Sequence, residues 1–387
     1  MPAQLTTPQL TPLLTTPPVA PAADPGVIGG RPRVLVVSGS VGAGHDGAAN
    51  ELAARLIAAG AEVAVRDFLD AVPRPVASLL RDGYTNSVMH VPYAFEFLFR
   101  RTEHRGLLWG IQQAVCAVAE TAVTRWVTDV RPDVVVATYP LAAQTVGRLR
   151  VSGRLGVPAM TYLTDPAVHV SWLHPGIDVN LTVTAATAAQ GAAEYGHRFT
   201  VGGPLVPSRF GVPLELDRLV DLRRELGLSA GRPVALLVAG SLGLGDLLPT
   251  VRDVGAAGFT PLVLCGRNDT LRRRVATEWG AVALGWRTDV HELMQVADVL
   301  VHNAGGLSCT EALVAGLPTV TYRPIPGHGR ANARVLHEAG LAPWARTPAE
   351  LAHCLRAESG RDRTPGALDD PTDVVLAALH RTAARAA

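Results

Sequence analysis

Short runs of aliphatic, β-branched residues closed by glycine-bearing or polar turns set the rhythm of this chain. Val34-Leu35-Val36-Val37 is an unbroken apolar run that leads into Ser38-Gly39-Ser40-Val41-Gly42-Ala43-Gly44. Positions 48–59 then read as a helix and 62–65 return to strand character, so the ordered chain opens with a βαβ unit. Similar runs recur at 134–137 and 159–163. Strands that are apolar at every position, rather than at alternate ones, are covered on both faces. That predicts a parallel sheet flanked by helices.

The rhythm restarts after Gly203-Pro204-Leu205-Val206-Pro207. A run at 234–238 enters a second glycine loop, Gly240-Ser241-Leu242-Gly243-Leu244-Gly245, and further runs follow at 261–264, 299–301 and 318–322. Two strand–glycine-loop–helix openings predict an α/β chain with two Rossmann-like domains. The first is expected over 31–203, a linker over 204–213 and the second over 214–370. A final helix, within 371–387, packs back across the interface. Residues 1–30, rich in Pro, Thr and Ala, read as a disordered lead-in.

Composition agrees and excludes some functions. The chain has 387 residues, too many for one ordinary core, and 48% are apolar, enough to fill two. A formal net charge of +1 argues against a nucleic-acid partner. No lysine is present, so Arg is the only fixed cation available to a phosphate. Cys116, Cys265, Cys309 and Cys354 form no CxxC pair and read as free thiols of a reducing cytosol. No apolar run reaches the ~18–20 residues of a membrane span, and the N-terminus lacks a signal-peptide layout. A cytoplasmic location is expected.

The glycine loops carry the candidate chemistry. Each brings backbone N–H groups and the positive end of a helix toward a ligand phosphate. Gly42-Ala43-Gly44-His45-Asp46-Gly47 satisfies GxGxxG, and Asp67 follows at the end of the next strand, as in a dinucleotide fingerprint. The motif begins late relative to its strand, however, and sets His and Asp where the helix must pack. An NAD-binding oxidoreductase and a tight turn without ligand both stay open on this feature alone. The later segment from His302 to Glu311 is more specific. Gly305 and Gly306 permit close backbone approach, Ser308 sits near a helix start and Glu311 lies about one turn in. Such amides suit a diphosphate and such a carboxylate suits ribose hydroxyls, although a Glu there also serves as a helix cap.

Residues 285–340 resemble the donor site of glycosyltransferase family 28, which contains monogalactosyldiacylglycerol synthases and the lipid-linked N-acetylglucosaminyltransferase of peptidoglycan assembly. Four more stretches resemble the monogalactosyldiacylglycerol synthase-like branch. They are 38–45, Thr164-Asp165-Pro166 with Trp172-Leu173-His174-Pro175, 203–210, and Val263-Leu264-Cys265-Gly266-Arg267-Asn268. The resemblance implies a GT-B fold, two Rossmann-like domains facing each other across a cleft. It further implies inverting transfer of a hexose or N-acetylhexosamine from a UDP-sugar to a hydrophobic or lipid acceptor such as diacylglycerol, without a metal or cofactor.

By the same resemblance, Trp286 and the backbone of Arg287 frame the base and Glu311 holds the ribose. Gly240, Ser241 and Gly243, with Gly305, Gly306, Leu307 and Ser308, cradle the diphosphate. His328, where the family usually has Gln, and Asn332 meet the sugar. Gly42 and Gly44 serve the acceptor and phosphate side. The family commonly has Arg or Lys where this chain has Val206 and Asn303, which leaves Arg209 or Arg267 as compensating cations.

His45 is the expected general base, because an imidazole titrates near neutrality and this one adjoins the first loop. Asp165 is the alternative base or its orienting partner. Residues 88–118 mix aromatic and aliphatic side chains with Arg100, Arg101 and Arg105. That mixture fits either a surface lying on an anionic membrane, on the inner face of the plasma membrane, or an ordinary helical core face. The competing functions are a UDP-sugar epimerase of GT-B fold, a glycosyltransferase of secondary metabolites, and a nucleotide-sugar-binding protein without catalysis.

Overall fold

The computed structural model describes residues 31–90, 106–238, 247–279, 281–363 and 369–386. Six strands build the first sheet: β1 (Arg33–Ser38), β2 (Glu62–Asp67), β3 (Val134–Ala137), β4 (Ala159–Tyr162), β5 (Val179–Thr182) and β6 (Thr200–Val201). They are parallel throughout, in the order β2-β1-β3-β4-β5-β6. The second sheet is parallel too. It holds β7 (Val234–Val238), β8 (Thr260–Leu264), β9 (Val282–Leu284), β10 (Val299–His302), β11 (Thr319–Tyr322) and β12 (Trp344–Ala345), in the order β12-β11-β10-β7-β8-β9.

The unbroken apolar runs are explained by this layering. In β1, Leu35 and Val37 join the core on one face with Phe68 and Trp172. Val34 and Val36 join the other, with Ala49, Leu52 and Leu56 of the following helix. The second sheet repeats the arrangement, with Ala235 and Leu237 on one face and Val234 and Leu236 on the other. Connections leave in opposite directions between β1 and β3, and again between β7 and β10. At such a reversal a crevice opens beyond the carboxyl ends of the strands.

Two helix starts differ from the sequence expectation. The first helix runs Ala43–Ala58, five residues earlier than the expected start at 48. Gly42 is its extended N-cap, and Asp46 in the first turn accepts the Ser38 hydroxyl at 2.6 Å. An acidic side chain there complements the helix dipole, so His45 belongs to the helix N-terminus rather than to a loop tip. The helix whose start was expected near Ser308 begins at Gly306 and runs to Val314. Strands β5, β6, β9 and β12 escaped the reading because runs of two to four residues, two of them partly exposed, carry little periodicity.

The chain end ties the halves together. The helix Pro371–Ala386 sets Val375, Ala378 and Leu379 into the first domain's core beside Val34 and Leu52. Burying each Val or Leu there stabilises by about 1.5–3 kcal/mol. Arg55 holds Asp370 at 3.1 Å and the Val206 carbonyl at 2.6 Å. Gly203, at φ +84°, is required at this crossing, because a Cβ would stand 1.9 Å from the Asp369 carbonyl oxygen.

Candidate active site

Both strand reversals open on one cavity of about 610 Å3. From the first domain it is lined by Gly42, Gly44, His45 and Asp165, and from the second by Trp286, Arg287, Gly305, Gly306, Leu307, Ser308, Glu311 and His328. Residues more than 280 positions apart are therefore gathered at one place. Gly240, Ser241 and Gly243 lie outside the described residues, as do Arg100, Arg101 and Arg105.

His45 sits at the first reversal, between the loop after β1 and the end of β3. Its Nδ1 lies 2.8 Å from the Thr138 carbonyl oxygen and 3.1 Å from the Thr164 hydroxyl. A carbonyl only accepts, so Nδ1 carries the proton and Nε2 keeps its lone pair. Tyr139 packs edge-on at 5.2 Å and Trp172 at 5.9 Å between ring centres. Burial lowers the His45 pKa, against the opposing pull of Asp165, and favours the neutral ring.

Asp165 faces a group of imidazoles: its charge acts on His45, His169 and His328. Burial lowers the pKa of His328 and takes that of His169 down to about 4. Asn332 is held from both domains. Its amide donates to the Ala304 carbonyl at 3.0 Å and to Asp165 at 3.3 Å, while its oxygen accepts from the Ala167 N–H at 3.0 Å. These bonds tie Asn332 to its own domain at Ala304 and across to the first domain at Asp165 and Ala167, while it also lines a cavity beside His328.

The second domain's contribution is different in kind. Glu311 lies on the helix Gly306–Val314 and lines the cavity, yet its carboxyl has no hydrogen bond among the described residues. Burial, only partly offset by Arg209, pushes its pKa up to about 8. Arg209 also lines the cavity and forms no ion pair among the described residues. Val206 instead is buried core, 1% exposed, and contributes its carbonyl to Arg55. Arg209 is thus the cation that faces the space near Glu311.

Trp286 is half exposed at the cavity edge. Arg267 does not line the cavity; its guanidinium stacks over Trp286, 4.7 Å from the ring centre. The Arg287 side chain pairs with Asp289, Nε to Oδ1 at 2.7 Å, which turns its charge to its own loop. His302 also lines the cavity but is locked as a neutral strut. Its Nδ1 accepts from the Ala304 N–H at 3.2 Å, Thr321 holds Nε2 at 3.0 Å, and burial lowers its pKa to about 4.

The domains meet closely beside this cavity. A Cβ at Gly306 would stand 2.2 Å from the Thr164 carbonyl oxygen, so the glycine is needed for domain approach as well as for an open helix end. Leu307 reaches the GxGxxG segment, where a Cβ on Gly44 or Gly47 would just touch it. Asp67, the apparent ribose acceptor of a dinucleotide site, is occupied. It accepts from the Ser40 N–H at 3.2 Å, the Ser40 hydroxyl and the Leu69 N–H at 2.9 Å.

A second cavity, of about 590 Å3, shares His45, Asp165 and His328 with the first. Leu79, Leu80, Leu108, Ile111 and Val115 supply its apolar walls, from the helices Arg74–His90 and Leu107–Val130. Leu79 and Ile111 are 71% and 53% exposed, so this wall opens on the protein surface. Thr138 and His169 were not singled out from the sequence. His169 lies between the 164–166 and 172–175 stretches that carried the resemblance, whereas a carbonyl 93 residues from His45 leaves no sequence signal.

Two parallel sheets opposed across such a cleft define a GT-B fold. The structure superposes on the crystal structure of MurG from Acinetobacter baumannii with a TM-score of 0.56 at 19% identity, covering 91% of this chain and 99% of that one. Within that class the chain is similar to the monogalactosyldiacylglycerol synthase-like branch of glycosyltransferase family 28, the resemblance its motifs carried. The family model for monogalactosyldiacylglycerol (MGDG) synthase matches residues 45–197. Monogalactosyldiacylglycerol synthase 1 of Arabidopsis thaliana, a chloroplastic protein, is 26% identical over 360 residues, 84% of this chain and 65% of that protein. A processive diacylglycerol beta-glucosyltransferase of Bacillus cytotoxicus is 27% identical over 252 residues, 60% of this chain and 61% of that protein. The chain therefore spans less than two thirds of the length of these relatives.

Proposed function

We propose that this chain is an inverting glycosyltransferase that moves a sugar from a UDP-sugar to the hydroxyl of a diacylglycerol-type lipid. One observation carries the reading: His45, with a free Nε2, and the unpartnered carboxyl of Glu311 line opposite sides of one cavity. A nucleotide held at Glu311 and Trp286 leaves its sugar between the helix end at Gly305–Ser308 and His45. The apolar second cavity, which shares His45, suits the lipid chains. Relatives named for diacylglycerol glycosylation support this choice of acceptor.

In the proposed step the acceptor oxygen attacks the anomeric carbon and its proton passes to His45 Nε2. The bond from that carbon to the phosphate oxygen breaks, and the electron pair leaves on UDP. Asp165 stabilises the imidazolium that forms. The helix N-terminus and Arg209 meet the charge on the departing diphosphate, where the family's usual cations are replaced by Val206 and Asn303. Neither a metal nor a cofactor is required by this scheme. Among the described residues no group of three or more His, Cys, Asp or Glu is placed to hold a metal ion. No described helix is long and apolar enough to cross a membrane. We assign the protein to the cytoplasmic side of a membrane, touching it through the exposed wall around Leu79 and Ile111.

Calorimetric titration with UDP, UDP-sugars and NAD(P), followed by UDP release with and without diacylglycerol, tests the proposal. UDP binding and acceptor-dependent release are expected. NAD binding without UDP binding overturns it, and sugar interconversion without acceptor selects an epimerase.

A further inference from the structure

Among the polar groups lining the apolar cavity, the Gln112 amide is one that the transfer step does not use. Gln112, on the helix Leu107–Val130, lines this cavity among Leu108, Ile111 and Val115. Its Oε1 accepts the Ser171 hydroxyl at 3.1 Å, while its Nε2 is buried without a hydrogen-bond partner among the described residues. Ser171 is itself fixed, since its carbonyl accepts Gln144 Nε2 at 3.1 Å and its N–H donates to His169 at 3.2 Å. The next residue, Trp172, packs against His45. The amide is therefore anchored through a short chain of contacts to the catalytic imidazole.

A buried donor left without an acceptor is unfavourable, by about 1–3 kcal/mol, and among described side chains such atoms are few. In an otherwise aliphatic wall, a well-packed Leu would avoid that cost. The arrangement becomes favourable when a ligand brings an acceptor oxygen to this wall. A ligand that places a hydroxyl at His45, aliphatic chains along Leu79 and Ile111, and a carbonyl between them has the layout of a glycerol ester.

We propose that Gln112 is a specificity-determining residue that recognises an ester carbonyl of the acceptor, selecting acyl over alkyl glycerolipids. This rests on the transferase reading and names the substrate class of the same site. Gln112→Leu keeps the volume and removes the amide; Gln112→Glu keeps the shape and the Ser171 contact but replaces the donor by an acceptor.

The test compares dioctanoylglycerol with its diether analogue, dioctylglycerol, in the full chain, with UDP-glucose and UDP-galactose as donors. Binding of both lipids is measured separately by calorimetry. For wild type, KM and Kd are expected to be about 10-fold lower for the diester, and either variant should bring the two lipids within about 2-fold of each other. The diether constants should hardly move. The thermal midpoint of Gln112→Leu should change little, since loss of the Ser171 contact offsets removal of the unpartnered amide nitrogen. Equal weakening toward both lipids, or an unchanged diester constant, overturns the inference and leaves the transferase reading standing. Diester-selective binding that depends on Gln112, in a wild type that never releases UDP, upholds the inference and sinks the transferase reading instead.

Discussion

Two glycine segments, 42–47 in the first domain and Gly305–Gly306 in the second, look alike in sequence and differ in what the polar side chains around them do. Around the first, partners are internal: Asp46 is held by Ser38, Asp67 by Ser40 and Leu69, and His45 Nδ1 by Thr138. Around the second, Glu311 and Arg209 line a cavity with no hydrogen bond or ion pair among the described residues. Buried polar groups are normally satisfied, so the first loop is complete without a ligand and the second is not. Among these described side chains, the far edge of His45 is left over on the first side. This difference fits the proposed function, in which phosphate and ribose binding fall to the second domain and a single proton transfer to the first.

The largest effect should come from the one group on the first side that remains available. His45→Ala is expected to lower kcat/KM by about 100- to 10,000-fold while the Kd for UDP moves less than about 2-fold. Because burial lowers the His45 pKa, the acid limb of the wild-type kcat profile, taken at saturating donor, should fall below the ordinary imidazole range. Steady-state kinetics across pH, with UDP calorimetry, check both points. Turnover retained in the variant would remove His45 from the mechanism and erase the division between the loops.

Glu311 should give an intermediate effect with an unusual pH dependence. Folding lifts its pKa from 4.5 to about 8. The stability associated with holding this proton is fully present below about pH 4.5 and is lost as pH rises through about 8. If ribose hydroxyls donate to the carboxylate, UDP selects the ionised form. Affinity should then strengthen as pH rises toward and past about 8, with proton release on binding. Glu311→Gln should weaken UDP about 10- to 100-fold at the alkaline end, flatten the dependence, and gain stability there. Calorimetry in buffers of different ionisation heat measures the proton directly. A pH-independent wild-type Kd without proton release would separate Glu311 from the nucleotide.

The fold was legible because its signal is local. Apolar runs such as Val34–Val37 and 234–238 mark strands covered on both faces whatever their neighbours are, and the turns that follow are short. Glu311, Trp286 and His45 were legible through the motifs they sit in. Contacts across the interface were not. Asn332 shares a helical face with His328 in sequence, but only the folded chain shows Ala167, Ala304 and Asp165 using its amide. Val206 gives no hint in sequence that its side chain enters the second domain's core while its carbonyl faces Arg55. Likewise, Gly306 reads as room for a phosphate, whereas the Thr164 carbonyl of the other domain takes part of that room.

Asp67 offers the smallest and most discriminating test. If the first loop bound a dinucleotide, this carboxylate would take the ribose hydroxyls and its loss would abolish binding. In the structure it is already committed to the Ser40 N–H, the Ser40 hydroxyl and the Leu69 N–H, so it works as a local brace on the loop and the short turn after β2. Asp67→Ala should therefore lower unfolding stability by about 1–3 kcal/mol, since two backbone donors lose their acceptor. The Kd for UDP should stay within about 2-fold, because among the described residues no hydrogen bond links Asp67 to the Gly305–Ser308 segment. Denaturant unfolding and UDP titration of the same preparations separate these effects. A stable variant with much weakened nucleotide binding would mean that the first loop, and not the second, is the incomplete one.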